Sequence, residues 1–219
     1  GSNTVAITFD DGYYNNVLFA DLAQSYGIPY HISVSAYYNL TGELYPWFLN
    51  NGQHYSEAHL IDYYKQYDDL RRASGPESKT WLTRPMSFPE LETVVASGLA
   101  DIGCHGYYHQ PLSRDFEQYV HQEQDLALSC LDEHLGITPR YFSLANGMYS
   151  KTVVRELENT FELIFTIEGR PYSRGDRMIH RLNLLSPIVA GPLIQQIDRH
   201  LKPLRQIRRR VRSFNRMWR

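Results

Sequence analysis

Short β-branched runs alternate with stretches of helical periodicity along most of the chain, and that alternation is best accommodated by parallel strands joined through helical crossovers. Val5-Ala6-Ile7-Thr8-Phe9 has the pattern of a buried strand and runs into Asp10-Asp11-Gly12, a turn signal. From Asn15 to Tyr26 the residues Val17, Leu18, Leu22 and Ala23 fall at helical spacing, and Gly27 followed by Pro29 ends the helix. Ile28 to Val34 is the second strand. Ser87 with Glu90 three residues on is a capping-box pattern for a helix that buries Leu91, Val94 and Val95 and stops at Gly98. Ala100 to Cys104 then reads as a strand leading into His105, and Asp115 to Leu135 as a long helix closed by Gly136. A strand over Tyr141 to Leu144, a helix over Lys151 to Asn159, and strands over Leu163 to Ile167 and Met178 to Leu185 complete the series. The pattern predicts an α/β fold, a parallel sheet or a closed (β/α) barrel, with its site at the C-terminal ends of the strands. The Asp10-Asp11 pair and His105 both follow strands, so both open on that face.

A chain of 219 residues, 42% of them hydrophobic, is long enough for one sizeable core and short for two. We read residues 1–198 as one catalytic domain. Residues 36–85 form an insertion punctuated by Pro46, Gly52, Gly75, Pro76 and Pro85, with a polar, tyrosine-rich helix predicted over Ser56 to Ala73. An excursion of this length that leaves from the end of the second strand is expected to form a rim of the site. Aromatic residues make up 13% of the chain and include 17 tyrosines, which suits a surface that stacks on sugar rings, and Trp47 and Trp81 are the candidate substrate contacts in the insertion. The two cysteines, Cys104 and Cys130, fall within predicted core elements and read as small buried hydrophobes.

The charge is strongly segregated. Residues 199–219 carry nine Lys or Arg and no acid, which leaves 13 basic against 24 acidic residues in the remainder. An acidic body favours a cation or metal, a basic tail favours anions, and nothing in the body supports a nucleic-acid partner. In the tail, Leu201, Leu204, Ile207, Val211, Phe214 and Trp218 recur at three- and four-residue steps. Lys202, Arg205, Arg208, Arg209, Arg210, Arg212, Arg216 and Arg219 fill the other faces. Such a stripe predicts an amphipathic helix for an anionic membrane surface; the alternative is a last helix packed on the body. Gly1-Ser2 reads as the scar of a cleaved tag, so the start of the chain carries no weight for location. With no apolar run of about 18 residues and no signal-peptide pattern, the chain is expected to be soluble, and cytoplasmic or peripheral to the inner face of the membrane.

Adjacent carboxylates on an extended strand point to opposite sides, but in a turn at Gly12 both reach one site, where one can bind a cation while the other takes protons. His105-Gly106-Tyr107-Tyr108-His109 places two imidazoles four residues apart, and a single helical turn would bring both rings to one face. Asp11, His105 and His109 would then form a set of two histidines and one carboxylate. Three protein ligands with open positions make a catalytic rather than a structural site, and these donors suit Zn, with Fe, Co and Ni as alternatives, better than Ca.

These residues resemble the polysaccharide deacetylases of carbohydrate esterase family four. Thr8-Phe9-Asp10-Asp11-Gly12 is similar to the family's first motif and His105-x-x-x-His109 to its second. Met86-Ser87-Phe88-Pro89-Glu90-Leu91 and Gly98-Leu99-Ala100-Asp101-Ile102-Gly103 look like the helix and strand between them, and the resemblance runs from Thr4 to about Leu184. It implies a distorted (β/α) barrel, Asp10 as catalytic base, and Asp11, His105 and His109 as metal ligands. The sequence departs from the family at Gly106, where Ser or Thr is usual. It departs again at Phe142-Ser143-Leu144-Ala145-Asn146-Gly147, which keeps the Gly of the third motif and has Asn146 in place of Tyr. A backbone N–H near Asn146 is implied as an oxyanion contact. His180, in the last predicted strand, is the candidate general acid by position. The implied activity is metal-dependent removal of acetyl groups, N-acetyl first, from a polysaccharide or a lipid-linked saccharide. Two competing readings are a catalytically degenerate sugar-binding protein of the same fold, and a metal-dependent amidohydrolase acting outside sugars.

Overall fold

A computed structural model describes residues 6–45, 84–167 and 175–182. The chain divides into two compact units, Gly1–Ile164 and Phe165–Arg219. In the first, strand β1 (Thr8–Phe9) is followed by helix α1 (Asn16–Tyr26), strand β2 (Tyr30–Val34) and the short helix α2 (Ala36–Thr41). Helix α3 (Phe88–Val95), strand β3 (Ala100–Cys104), helix α4 (Val120–Leu135), strand β4 (Tyr141–Ser143) and helix α5 (Lys151–Thr160) come next. Strand β5 (Leu163–Thr166) crosses the boundary between the units.

Strands β1 to β4 lie side by side in sequence order, and each pair is parallel. Parallel neighbours in chain order, each reached through helix, are the (β/α)-barrel arrangement that the alternation predicts. Strand β2 is buried along its whole length, as a strand covered on both faces must be. Its side chains alternate: Tyr30, Ile32 and Val34 point one way, and His31 and Ser33 the other. The register pairs His31 with Asp101 and Ser33 with Gly103, so the polar face of β2 meets the polar face of β3. Polar groups buried there need partners, and they have them. His31 Nδ1 lies 2.7 Å from Asp101 Oδ2, its Nε2 lies 2.9 Å from Ser33 Oγ, and Ser33 Oγ lies 2.7 Å from Ser143 Oγ. An ideal Cβ on Gly103 would stand 2.4 Å from the His31 ring, so glycine is what admits the imidazole into the sheet interior.

Helix α3 starts as its sequence predicts. The Ser87 side chain and the Glu90 carboxylate form a reciprocal capping box, in which Glu90 Oε2 accepts the Ser87 N–H at 2.8 Å. Several element boundaries differ from expectation. Strand β1 starts at Thr8, although Ile7 O still accepts the His31 N–H at 3.0 Å. Strand β2 starts at Tyr30 rather than Ile28, because Gly27 caps α1 in a left-handed conformation and the Ile28 N–H still bonds back to Ala23 O. The long helix starts at Val120, because Arg114–Tyr119 winds as a tighter 3-10 helix after Ser113. Strand β4 ends at Ser143, because the chain enters a tight turn in which Asn146 has φ 55°.

In the second unit, strand β6 (Met178–His180) carries His180, the Arg181 N–H donates to Thr166 O at 2.7 Å, and the Arg181 guanidinium stands 5.5 Å over the Phe165 ring. Residues 46–83 and 183–219 lie outside the described residues. They include Trp47, Trp81, the helix expected over Ser56 to Ala73 and the basic segment 199–219. Among the described residues no helix is long and apolar enough to cross a membrane.

Candidate metal centre

The turn after β1 carries the first two site residues. Asp11 has φ 70° and Gly12 φ 65°, two successive left-handed residues that reverse the chain just beyond the strand. A Cβ on Gly12 would meet Val34 Cγ1 at 2.8 Å and Asn39 Nδ2 at 3.1 Å, so the turn presses directly on β2 and α2. It is pinned from three sides. Gly12 O accepts the Met86 N–H at 2.9 Å, the Tyr14 N–H donates to Arg84 O at 2.8 Å, and the buried Tyr45 hydroxyl donates to Asp11 O at 2.5 Å. Asn39 Nδ2 adds a bond to Met86 O at 2.8 Å.

The histidine segment is not the helical turn expected from its spacing. It continues the β2–β3 ladder beyond Cys104: the His105 N–H donates to Val34 O, Gly106 O accepts from the Ala36 N–H, and Tyr107 O accepts from the Tyr37 N–H. Backbone groups used across the sheet cannot also close helical bonds. The loop then folds back through left-handed conformations at Gly106, φ 81°, and His109, φ 58°. Its N–H groups turn toward Glu123 in the first turn of α4, whose carboxylate accepts from Tyr108 at 3.1 Å to each oxygen, from Gln110 at 3.3 Å, and from Tyr107. Glu123 is almost wholly buried, and burial pushes its carboxyl up to about 7 against the pull of those N–H donors. The sequence reading passed over this residue. The signal was present, since Val120, Glu123, Ala127 and Cys130 are all buried at three- and four-residue steps, and an acid on such a stripe calls for a partner.

Both imidazoles converge on one carboxylate oxygen. Asp11 Oδ1 lies 3.3 Å from His105 Nε2 and 3.1 Å from His109 Nε2, and one ligand atom from each of the three residues falls within 4.8 Å of the others. Both rings are buried and stand edge to face with centroids 4.6 Å apart. Burial alone would raise the Asp11 carboxyl, but the two imidazoles hold it well below the usual carboxylate range. His105 is raised, because the carboxylates of Asp10 and Asp11 outweigh its burial, whereas His109 is lowered by burial and by the charge of His105. Asp10 itself is half-buried.

The tautomer of His105 tests whether these residues suit a cation. Its Nδ1 lies 2.8 Å from Ser143 O, a carbonyl that can only accept, so Nδ1 carries a proton. In the neutral ring Nε2 then presents a lone pair to the buried Asp11 Oδ1, 3.3 Å away. Two lone pairs facing each other at this distance repel unless a positive centre lies between them. A proton on His105 answers that need, and so does a metal ion, for which a carbonyl on the distal imidazole nitrogen is the usual support. The donor set of two imidazoles and a carboxylate fits a borderline cation.

The structure therefore brings together Asp11, His105 and His109 as predicted. Asn146 sits in the left-handed turn after β4, and its buried Nδ2 finds no hydrogen-bond partner among the described residues. His180 belongs to the second unit, and Trp47 and Trp81 lie outside the described residues. Both cysteines are free and buried, and burial pushes the Cys104 thiol up to about 12, which suits an inert core residue.

A family model described as polysaccharide deacetylase matches residues 1–161. Among solved structures, the chain is similar to IcaB from Ammonifex degensii, with 21% identity and a TM-score of 0.60 over 87% of this chain and 72% of that one. It is similar to the BpsB deacetylase domain from Bordetella bronchiseptica, with 15% identity and a TM-score of 0.55 over 80% and 68%. It is also similar to a polysaccharide deacetylase from Bacillus cereus, with 14% identity and a TM-score of 0.55 over 81% of this chain, and spans 46% of that protein's length. No curated protein sequence matches the chain. At these identities the structural likeness shows the fold, the (β/α) barrel of the deacetylases.

Proposed function

Because the chain belongs to the polysaccharide deacetylase family, we propose that it removes acetyl groups, N-acetyl first, from a polysaccharide or a lipid-linked saccharide, using a divalent cation held by Asp11, His105 and His109. The observation that carries the metal reading is Asp11 Oδ1, a buried carboxylate oxygen on which two imidazole nitrogens converge at 3.3 and 3.1 Å. Zn is the favoured ion for this donor set, with Fe, Co and Ni as alternatives. When bound, the cation would polarise the acetyl carbonyl and make its attacking water more acidic.

Asp10 takes the proton from that water, since Asp11 is committed to the two histidines. The attack forms the C–O bond and places negative charge on the former carbonyl oxygen, for which a backbone N–H near Asn146 is the contact that the family resemblance implies. His105 keeps its orientation because Nδ1–H is held by Ser143 O. Collapse breaks the C–N bond and releases acetate, and the leaving amine needs a proton, for which His180 is the candidate that the sequence offers.

The test is acetate release from N-acetylglucosamine oligomers, lipid-linked saccharides and non-sugar amides, each with and without chelator. Asp11→Ala, His105→Ala and His109→Ala should each abolish stoichiometric metal binding, because three ligands leave none to spare. Asp10→Asn should bind metal and lose most turnover. Near-normal turnover in Asp10→Asn would refute the base assignment, and sugar binding without acetate release would mark a degenerate binding protein.

A further inference from the structure

The backbone of the loop that carries both histidines is held from two sides. On one side the His105 N–H and the carbonyls of Gly106 and Tyr107 continue the ladder with β2 and α2, and Ser35 Oγ donates to His105 O at 3.1 Å. On the other side the N–H groups of Tyr107, Tyr108 and Gln110 all point at a single side chain, Glu123. Those donors bracket His109, a residue held in a left-handed conformation and placing Nε2 3.1 Å from Asp11 Oδ1.

Gly106 is the second, independent sign that this carboxylate is built into the loop. A Cβ at position 106 would stand 2.3 Å from Glu123 Oε2, and the backbone there has φ 81°. The buried acid thus occupies the volume in which any side chain at 106 would begin. This gives a physical reason for glycine at a position where the resemblance leads one to expect Ser or Thr.

We propose that Glu123 is a positioning residue for the cation site: by accepting the N–H groups on both sides of His109 it fixes the histidine loop in its ligating shape before any cation arrives, with Gly106 as its steric partner. This rests on the metal reading of Asp11, His105 and His109. Without the carboxylate, the N–H groups of Tyr108 and Gln110 lose their acceptor, and the loop regains conformations in which His109 no longer faces Asp11. Cation binding must then draw on the fraction of molecules that are correctly folded at the loop, and apparent affinity falls by that fraction. Glutamine has the same shape, but its amide NH2, a donor, replaces one of the two carboxylate oxygens that now accept the Tyr108 N–H, so donor would face donor and the charge of the acceptor is lost.

The measurement is metal affinity of folded protein, by competition of Zn²⁺ against a chromogenic chelator, together with the visible absorption of the Co²⁺ form. Glu123→Gln should raise the Kd for Zn²⁺ by about 10- to 100-fold and alter the Co²⁺ spectrum, whereas a merely structural role would lower the melting temperature and leave both unchanged. Glu123→Asp retracts the carboxylate by one methylene and should weaken binding too; it takes the place of Glu123→Gln should that variant not fold. A cycle with Gly106→Ser adds an arm: the affinity lost through Gly106→Ser should be smaller in a Glu123→Ala background, where the clash is gone. Wild-type affinity in the Glu123 variants, or an equal Gly106→Ser penalty in both backgrounds, would overturn the proposal. A wild-type protein that binds no metal would instead overturn the metal reading on which it rests.

Discussion

The Asp11-Gly12 turn should respond to one added methyl group in a way that separates backbone strain from packing. Gly12→Ala places its Cβ 2.8 Å from Val34 Cγ1, 3.3 Å from Val34 Cβ and 3.1 Å from Asn39 Nδ2. Neither neighbour can yield freely, because Val34 is fully buried in the sheet and Asn39 is bonded to Met86 O. The left-handed φ of 65° costs alanine about 1–2 kcal/mol. Overpacking of a closed site adds about 1–3 kcal/mol, which gives about 2–5 kcal/mol in all. Gly98 is the control: its φ is 70°, yet among the described residues nothing lies within 4 Å of a Cβ, so Gly98→Ala should cost the backbone part alone, about 1–2 kcal/mol.

Urea unfolding of the two variants beside the wild type reads the difference directly, provided that the m-values agree. A second readout ties the packing to the site. Val34 O accepts the His105 N–H at 2.9 Å, and Gly12 follows Asp11, so relief of the clash must move either the histidine loop or the carboxylate. Gly12→Ala should therefore bind metal more weakly, and Gly98→Ala should bind it as the wild type does. If the two variants are destabilised equally, or if Gly12→Ala keeps its metal affinity, then the turn is not held against Val34 as argued.

Ser33→Ala removes two buried hydrogen bonds, to His31 Nε2 and to Ser143 Oγ, and should cost about 1–3 kcal/mol in the same unfolding assay; a loss near zero would mean that the polar chain inside the sheet is not intact. Glu90 is held down at about 2 from an ordinary 4.5, first by the Arg84 guanidinium, so its stabilisation is fully present above 4.5 and is lost as the pH falls from there toward 2. Melting temperatures of wild type and Glu90→Gln should accordingly differ at pH 6 and converge toward pH 2, and a gap that persists in acid would contradict the assignment. In the insertion, Trp47→Ala and Trp81→Ala should raise KM for a long glycan more than for a single sugar if this segment lines the substrate groove, and equal effects on both would count against that role.

How much of this was legible in the sequence depends on how local the deciding contacts are. Strand β3 over Ala100–Cys104 and the Ser87 cap of α3 fall where the sequence places them, because a helix stop at Gly98 and a capping box are settled within a few residues. The ligand set Asp11, His105 and His109 was legible as residue types following strands, and the fold puts strand ends on one side. What misled was the conformation between the histidines. A four-residue spacing suits one helical turn, and within those five residues only Gly106 argues otherwise, weakly; the choice is made by β2, some 70 positions earlier, whose ladder runs on into the loop. Separation along the chain also explains why Gly106 looked like a missing hydroxyl: its meaning resides in Glu123, on a helix that follows a 3-10 turn. A buried acid at a core position of an amphipathic helix marks a place where packing alone would have chosen Leu. Such a residue persists only if backbone donors or a cation stand opposite it, and the search for those donors leads from α4 to the metal-binding loop.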